Sequence, residues 1–205
     1  MSNDLHNSFG GVSHGRERLF TAIRLPSKLQ EFLRLEAEWA QTRLDFRKWT
    51  DHRDYHITLQ FLGDTPSAEI GKLKKVLREA SLAFQPFSLN ISDWGTFGLE
   101  RAPKVLWKGV SGDVERLHSL QKHIVESTAQ LGFQAELRPY RPHITMARKF
   151  VGQVPEHTQN GIFDLLPGHS SPVNSWTVDG FVLYVTRLGQ IPMYEVVDTF
   201  SFSCK

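Results

Sequence analysis

The tetrapeptide His56-Ile57-Thr58-Leu59 returns downstream as His143-Ile144-Thr145-Met146. Successive side chains of a β-strand alternate faces, so in each copy the His and the Thr share one face while the Ile and the Leu or Met point toward a core. Each copy therefore presents an imidazole beside a hydroxyl. One imidazole can give a proton while another takes one, and two hydroxyls can hydrogen-bond the non-bridging oxygens of a phosphate between them. Such a set can cleave a phosphodiester without a metal. The plain alternatives are a pair of hydrogen-bonded structural histidines and two threonines placed as good strand formers.

Other residues near the motifs bear on this chemistry. His52 and His56 are four apart, a spacing that shares a helix face, but Ile-Thr-Leu-Gln-Phe alternates as a strand and no Cys or acidic cluster completes a coordination shell. No metal and no cofactor is expected. His118 and His123 read as surface or interface residues of a helix, and His157 and His169 fall in loop. Arg138, Arg141, Arg148 and Lys149 form a basic run around His143 with no acid among them, a locally positive approach for a phosphate or a solvated loop. Strict alternation from His143 sends Arg148 to the wrong face, so a role for it requires a strand end or a bulge near Ala147. Trp94, Phe97 and Tyr140 could stack a terminal base, although core packing is the commoner fate of such rings.

These residues need elements to hold them. The Ser-, Asn- and Gly-rich residues 1–17, with His6 and His14, read as a disordered arm before one domain spanning 18–205. A strand over Arg18–Leu25 leads into a helix opened by Pro26-Ser27, with Leu29, Phe32, Leu33, Leu35 and Trp39 as its apolar positions. The first motif strand, Tyr55–Leu62, is expected to stop at Gly63-Asp64-Thr65-Pro66, ahead of a helix over Ser67–Leu82 carrying Ile70, Leu73, Val76 and Leu77 on one face. Strands at Phe87–Ile91 and Lys104–Val110 follow, joined by Trp94-Gly95-Thr96-Phe97-Gly98. Asp113 should cap a third helix that ends at Gly132, and the second motif strand comes after it. A loop over Gly152–Ser175 and a hairpin of Thr177–Arg187 with Met193–Ser201 complete the chain. Helix-then-motif-strand occurs twice. The fold class is therefore α+β, with two pseudo-symmetric lobes, each an antiparallel sheet with helices packed outside, and the active-site cleft between them.

Composition limits the setting. The chain has 205 residues, 40% of them apolar, which is enough for a sizeable core. Its one cysteine, Cys204, cannot form an intrachain disulfide, and no apolar run approaches the ~20 residues of a membrane span, so a soluble, cytoplasmic protein is expected. A net charge of +2 is a weak footprint for a duplex-binding protein.

Taken together, Arg18-Leu19-Phe20-Thr21-Ala22, His56-Ile57-Thr58-Leu59-Gln60-Phe61-Leu62-Gly63, Arg101-Ala102-Pro103-Lys104-Val105-Leu106-Trp107 and Arg141-Pro142-His143-Ile144-Thr145-Met146-Ala147-Arg148 resemble the two-histidine phosphoesterases. Within these the chain looks like the LigT-like RNA 2′,3′-cyclic phosphodiesterases, also called 2′-5′ RNA ligases. The resemblance implies that His56 is the proton donor and His143 the proton acceptor, that Thr58, Thr145 and Arg148 hold the phosphate, and that the 3′ oxygen leaves so that a 2′-phosphate remains. It implies RNA ends as partners, single-stranded or on tRNA fragments, or small nucleotide cyclic phosphates, acted on by a monomer. Met146 departs from the more frequent Leu, a swap of similar volume. Rival readings on the same residues are cleavage of a 2′,5′-linked oligonucleotide or a small cyclic phosphate, reversible 2′-5′ ligation, and a module that only binds a nucleotide or RNA end. Two histidines in opposite protonation states imply a bell-shaped pH profile around neutrality.

Overall fold

The computed structural model describes residues 15–99, 101–156, 158–167 and 175–203. His6, His14, His157, His169 and Cys204 lie outside them, as does the expected arm up to residue 14. Among the described residues nine strands form one antiparallel sheet: β1 (Arg16–Arg24), β2 (Phe46–Trp49), β3 (His56–Pro66), β4 (Phe87–Leu99), β5 (Ala102–Gly112), β6 (Ile144–Phe150), β7 (Ser175–Val178), β8 (Gly180–Thr186) and β9 (Tyr194–Ser201). Their order is β7-β4-β5-β6-β3-β1-β8-β9, with β2 paired to β6. The helices are α1 (Ser27–Gln41), α2 (Ile70–Ser81) and α3 (Val114–Ala129), and 3-10 turns at His52–Asp54, Ser67–Glu69 and Gly161–Leu165 precede β3, α2 and β7. No described helix is long and apolar enough to cross a membrane.

The expected lobes are the two halves of this sheet. One half is β7-β4-β5-β6 and the other β3-β1-β8-β9, and they meet where β3 pairs with β6 at Ile57 and Ile144 alone. Both isoleucines are fully buried. Alternation along the strands divides the side chains between two faces. Leu19, Ile23, Phe181, Leu183 and Val185 join the main core under the helices, whereas Phe20, Ala22, Val182 and Tyr184 form a separate cluster on the opposite face.

The helices cross over the seam. α1 follows β1, yet its Glu36 carboxylate meets the Lys108 ammonium of β5 in the other half at 2.9 Å, with both groups buried. α3 follows β5, yet its Thr128 hydroxyl donates to Gln60 Oε1 of β3 at 2.9 Å, also buried. Burial depresses the Lys108 pKa and Glu36 opposes that shift.

Several expectations shift in detail. β1 begins at Arg16, inside the expected arm. Within α1, Leu35 and Trp39 are exposed, and the inner face is made by Leu29, Leu33, Glu36, Ala37 and Ala40, which recur at helical spacing. β2 escaped the sequence reading: four residues with two exposed cations carry too little alternation. β3 runs on through Gly63-Asp64-Thr65-Pro66, since a register shift and Gly63 at φ 71° let the ladder with β1 continue past the glycine. The stretch Trp94 to Gly98 likewise belongs to β4, with register shifts between Ile91 and Trp94 and between Phe97 and Gly98. The Asp113 side chain does not cap α3; its carboxylate accepts from the Ser88 amide at 2.9 Å, tying the helix start to β4. The C-terminal hairpin starts at Gly180, because Ser175–Val178 pairs with β4 as β7.

The buried Glu36–Lys108 pair gives a direct test of the crossed packing. Glu36→Ala should lower the unfolding free energy by about 3–5 kcal/mol, because it strands a buried ammonium. Replacing both, Glu36→Leu with Lys108→Met, should recover most of that loss in chemical denaturation. An exposed or dispensable pair would show little change in the single variant.

Candidate active site

His56 opens β3, and His143 sits one residue before β6. Antiparallel pairing of Ile57 with Ile144 places each motif's His and Thr across from those of the other motif. Each imidazole is fixed in the same way. His56 Nδ1 lies 2.7 Å from the Asp54 carbonyl oxygen, and His143 Nδ1 lies 2.7 Å from the Arg141 carbonyl oxygen. A carbonyl accepts only, so both Nδ1 atoms carry a proton and each Nε2 is the atom left to exchange one. His56 Nε2 is 3.0 Å from the Thr58 hydroxyl.

Aromatic rings wall in both imidazoles. Around His56 stand Phe20 at 5.0 Å, Tyr194 edge-on at 5.1 Å and Tyr184 at 6.0 Å between ring centroids. Around His143 stand Phe97 edge-on at 4.9 Å and Trp107 at 6.1 Å. Trp107 can lie there because its cross-strand partner is Gly95: a Cβ on Gly95 would meet the indole at 2.1 Å.

This enclosure sets the electrostatics. Burial pushes His56 down to about 4; the Asp54 carbonyl opposes that shift, while the charges of His143 and Arg148 add to it. His143 is also lowered, by burial first, with the Arg141 carbonyl opposing and Arg148 adding. The two imidazoles and Arg148 thus sit within one another's fields.

Arg148 reaches the site through the bulge that alternation demanded. Leu106 pairs with Ala147 but Trp107 pairs with Thr145, so Met146 is the extra residue, and Met146 and Ala147 are both buried. The slip turns the exposed Arg148 onto the face of Thr145, whose hydroxyl accepts from its Nη2 at 3.4 Å. The rest of the basic run disperses. Arg138 bonds Glu136 at 3.2 Å, Arg141 lends only its carbonyl to His143, and Lys149 takes φ 62° beyond the bulge.

Of the three rings weighed for stacking, Phe97 reaches His143. Trp94 is buried under the Lys108 ammonium at 4.5 Å, and the Tyr140 hydroxyl donates to the Thr58 carbonyl at 3.1 Å. His118 packs edge-on against Tyr140 and His123 against Phe84. Among the described residues, no group of three or more His, Cys, Asp or Glu converges as a metal cage. The sequence reading missed Phe20, Tyr184, Tyr194, Trp107 and Asp54. Asp54, two residues before His56, is the one with a local signal: its buried carboxylate accepts from the Met193 and Tyr194 amides at 2.8 and 3.0 Å and so brings β9 to His56. An open depression lined by Arg16, Arg18, Asp64 and Arg187 lies at the far end of β1 from Arg24, the residue paired with His56; its ion pairs are Arg18–Asp64, Arg187–Glu17 and Arg187–Glu195.

Two imidazoles, two hydroxyls and one guanidinium share one face of an antiparallel sheet, the set of groups that a two-histidine phosphoesterase uses. Residues 30–190 match the 2'-5' RNA ligase superfamily, and the chain belongs to that family. A Bacillus subtilis protein named RNA 2',3'-cyclic phosphodiesterase is 37% identical over 92% of this chain and 98% of its own length. A Geobacillus stearothermophilus protein of the same name is 35% identical over 90% of this chain; the chain spans 57% of that relative. The fold is similar to that of Escherichia coli LigT crystallised with 3'-AMP, with a TM-score of 0.69 at 23% identity, covering 92% of this chain and 99% of that one.

The pKa shifts predict how the site meets an anion. In the free protein His56 should titrate near 4 and His143 below the ordinary 6.5, both as the Nδ1–H tautomer when neutral. The fold favours neutral His56, so the unfolded chain holds that proton more tightly and stability falls as pH drops from 6.5 toward 4. Saturating inorganic phosphate should raise the His56 midpoint, because a bound anion favours the imidazolium. Long-range ¹⁵N NMR reads midpoint and tautomer together; a His56 midpoint near 6.5 that ignores phosphate would contradict this geometry.

Proposed function

We propose that this chain hydrolyses the 2′,3′-cyclic phosphate at an RNA end to a 2′-phosphate by acid–base catalysis between His56 and His143. The observation that carries the reading is the twin imidazole arrangement: each Nδ1–H is held by the carbonyl two residues earlier, which leaves each Nε2 without a proton in the neutral ring and on the face shared by the two motifs, that of His56 against the Thr58 hydroxyl. The relatives named RNA 2',3'-cyclic phosphodiesterase support the choice of substrate. Both motifs lie on one chain, so a monomer completes the site. A lone cysteine suits the reducing cytoplasm.

Neutral His143 takes a proton from water on its Nε2 as the water oxygen bonds to phosphorus. The bond from phosphorus to the 3′ oxygen breaks, and protonated His56 delivers its Nε2 proton to that oxygen. Thr58, Thr145 and Arg148 donate to the non-bridging oxygens as their charge grows, which is where preorganised donors act most strongly. A free-enzyme pKa near 4 leaves His56 uncharged at neutral pH. A bound phosphate anion raises it, so the acid is charged when substrate is present. Thr58 exchanges its bond to His56 for one to the phosphate.

The test is incubation with a short RNA carrying a terminal 2′,3′-cyclic phosphate, in excess EDTA, with product resolution. Cleavage should proceed under chelation, and His56→Ala or His143→Ala should each lower kcat by ~10²–10⁴-fold. The double variant should be little worse than the singles, as expected of groups acting as a unit. The profile of kcat/KM should be a bell centred on the acid side of 6.5 rather than around neutrality, because both histidines are depressed in the free enzyme. The bell in kcat should lie at higher pH, since it reports the phosphate-bound state. Activity that vanishes with EDTA and returns with zinc or manganese, or a rate that climbs steadily into alkali, would overturn the mechanism.

A further inference from the structure

We infer that Lys48 forms a second anion subsite beside the reacting phosphate and takes the phosphodiester on the 5′ oxygen of the terminal ribose; this rests on the activity proposed above. Lys48 of β2 is the direct antiparallel partner of Arg148 of β6. Directly opposed residues project from the same face with Cβ atoms about 4.5–5.5 Å apart, so Lys48 shares the face of Arg148 and Thr145. Like charges in that relation repel and destabilise the pair. Neither cation is neutralised: among the described residues no carboxylate lies within ion-pair distance of Lys48 or Arg148. The Arg148 guanidinium donates to Thr145, and the Lys48 ammonium rests 4.0 Å from the Met193 sulfur.

Met193 fixes where Lys48 stands. Its amide and that of Tyr194 are held by the Asp54 carboxylate, and the Tyr194 ring lies 5.1 Å from His56, edge-on. The Lys48 ammonium therefore spans from the half of the sheet that carries His143 to the half that carries His56. In-line displacement puts the attacking water on the His143 side and the departing ribose on the His56 side. A cation at this junction, next to the arginine of the first phosphate, is placed for the next phosphate of the same nucleotide. Edge strands also carry cations that block pairing with other chains, and on β2 the exposed Arg47, turned to the opposite face by alternation, meets that need. A lone cyclic mononucleotide has nothing for Lys48 to hold. An RNA chain does.

Three substrates separate the sources of that charge: a nucleoside 2′,3′-cyclic phosphate, the same compound with a 5′-phosphate, and a dinucleotide ending in the cyclic phosphate. The wild type should favour the second and third over the first by about tenfold in kcat/KM, mainly through KM, the worth of one charge-assisted contact. Lys48→Ala should flatten that preference and reduce the salt dependence for the dinucleotide by about one counterion. Lys48→Arg should keep it. Equal losses of Lys48→Ala on all three substrates, or an unchanged preference, would overturn the subsite, and a preference restricted to the 5′-phosphorylated nucleotide would overturn its assignment to an RNA chain. Titration of nucleoside 2′-phosphates with and without a 5′-phosphate reads the same ratio as affinity. That readout holds even if none of the cyclic substrates is turned over, an outcome that would sink the proposed activity alone.

Discussion

One strand pairing, Ile57 with Ile144, joins β3 to β6 and so the two halves of the sheet, and the two His-x-Thr motifs sit on either side of it. An antiparallel pair has a local two-fold axis, so residues flanking the pairing on one strand are matched by those flanking it on the other. That symmetry sets two His-x-Thr motifs face to face without any loop having to carry them. Burying both isoleucines completely makes the register costly to slip, because a shift by one residue would drive the histidines into the core.

So narrow a seam needs support from elsewhere. α1 and α3 each leave one half and bind the other, through Glu36 with Lys108 and through Thr128 with Gln60. Within the half that carries His56, Asp54 captures the start of β9 beside that imidazole. The same residue's carbonyl sets the His56 tautomer. Groups that hold the fold together and groups that orient the candidate site are therefore in part the same.

The electrostatics follow from where the rings are. Phe20, Tyr184 and Tyr194 on one side and Phe97 and Trp107 on the other replace water around the imidazoles, and desolvation disfavours their charged forms. Arg148 disfavours them further. Neutral imidazoles beside a fixed guanidinium are the arrangement that the proposed reading needs, since there a bound phosphate would charge His56.

Much of this was written in the chain. The repeated His-x-Thr, read at strand period, placed His and Thr on one face and Ile on the other, and a role for Arg148 required a strand end or a bulge near Ala147, of which the structure has the bulge, at Met146. Periodicity located the three helices and most strands, since burying apolar faces is a local demand repeated along the sequence. What local pattern could not carry was partnership across distance. Lys48 beside Arg148, Tyr194 over His56, Trp107 flat on Gly95 and Glu36 under Lys108 are pairs of residues far apart in the chain, brought together by strand order and helix crossing. The sequence by itself determined which groups could move protons and hold a phosphate. Only the tertiary structure decided how dry they are, which nitrogen each imidazole offers and what further charge stands beside them, because those properties belong to neighbours that the order of residues does not name.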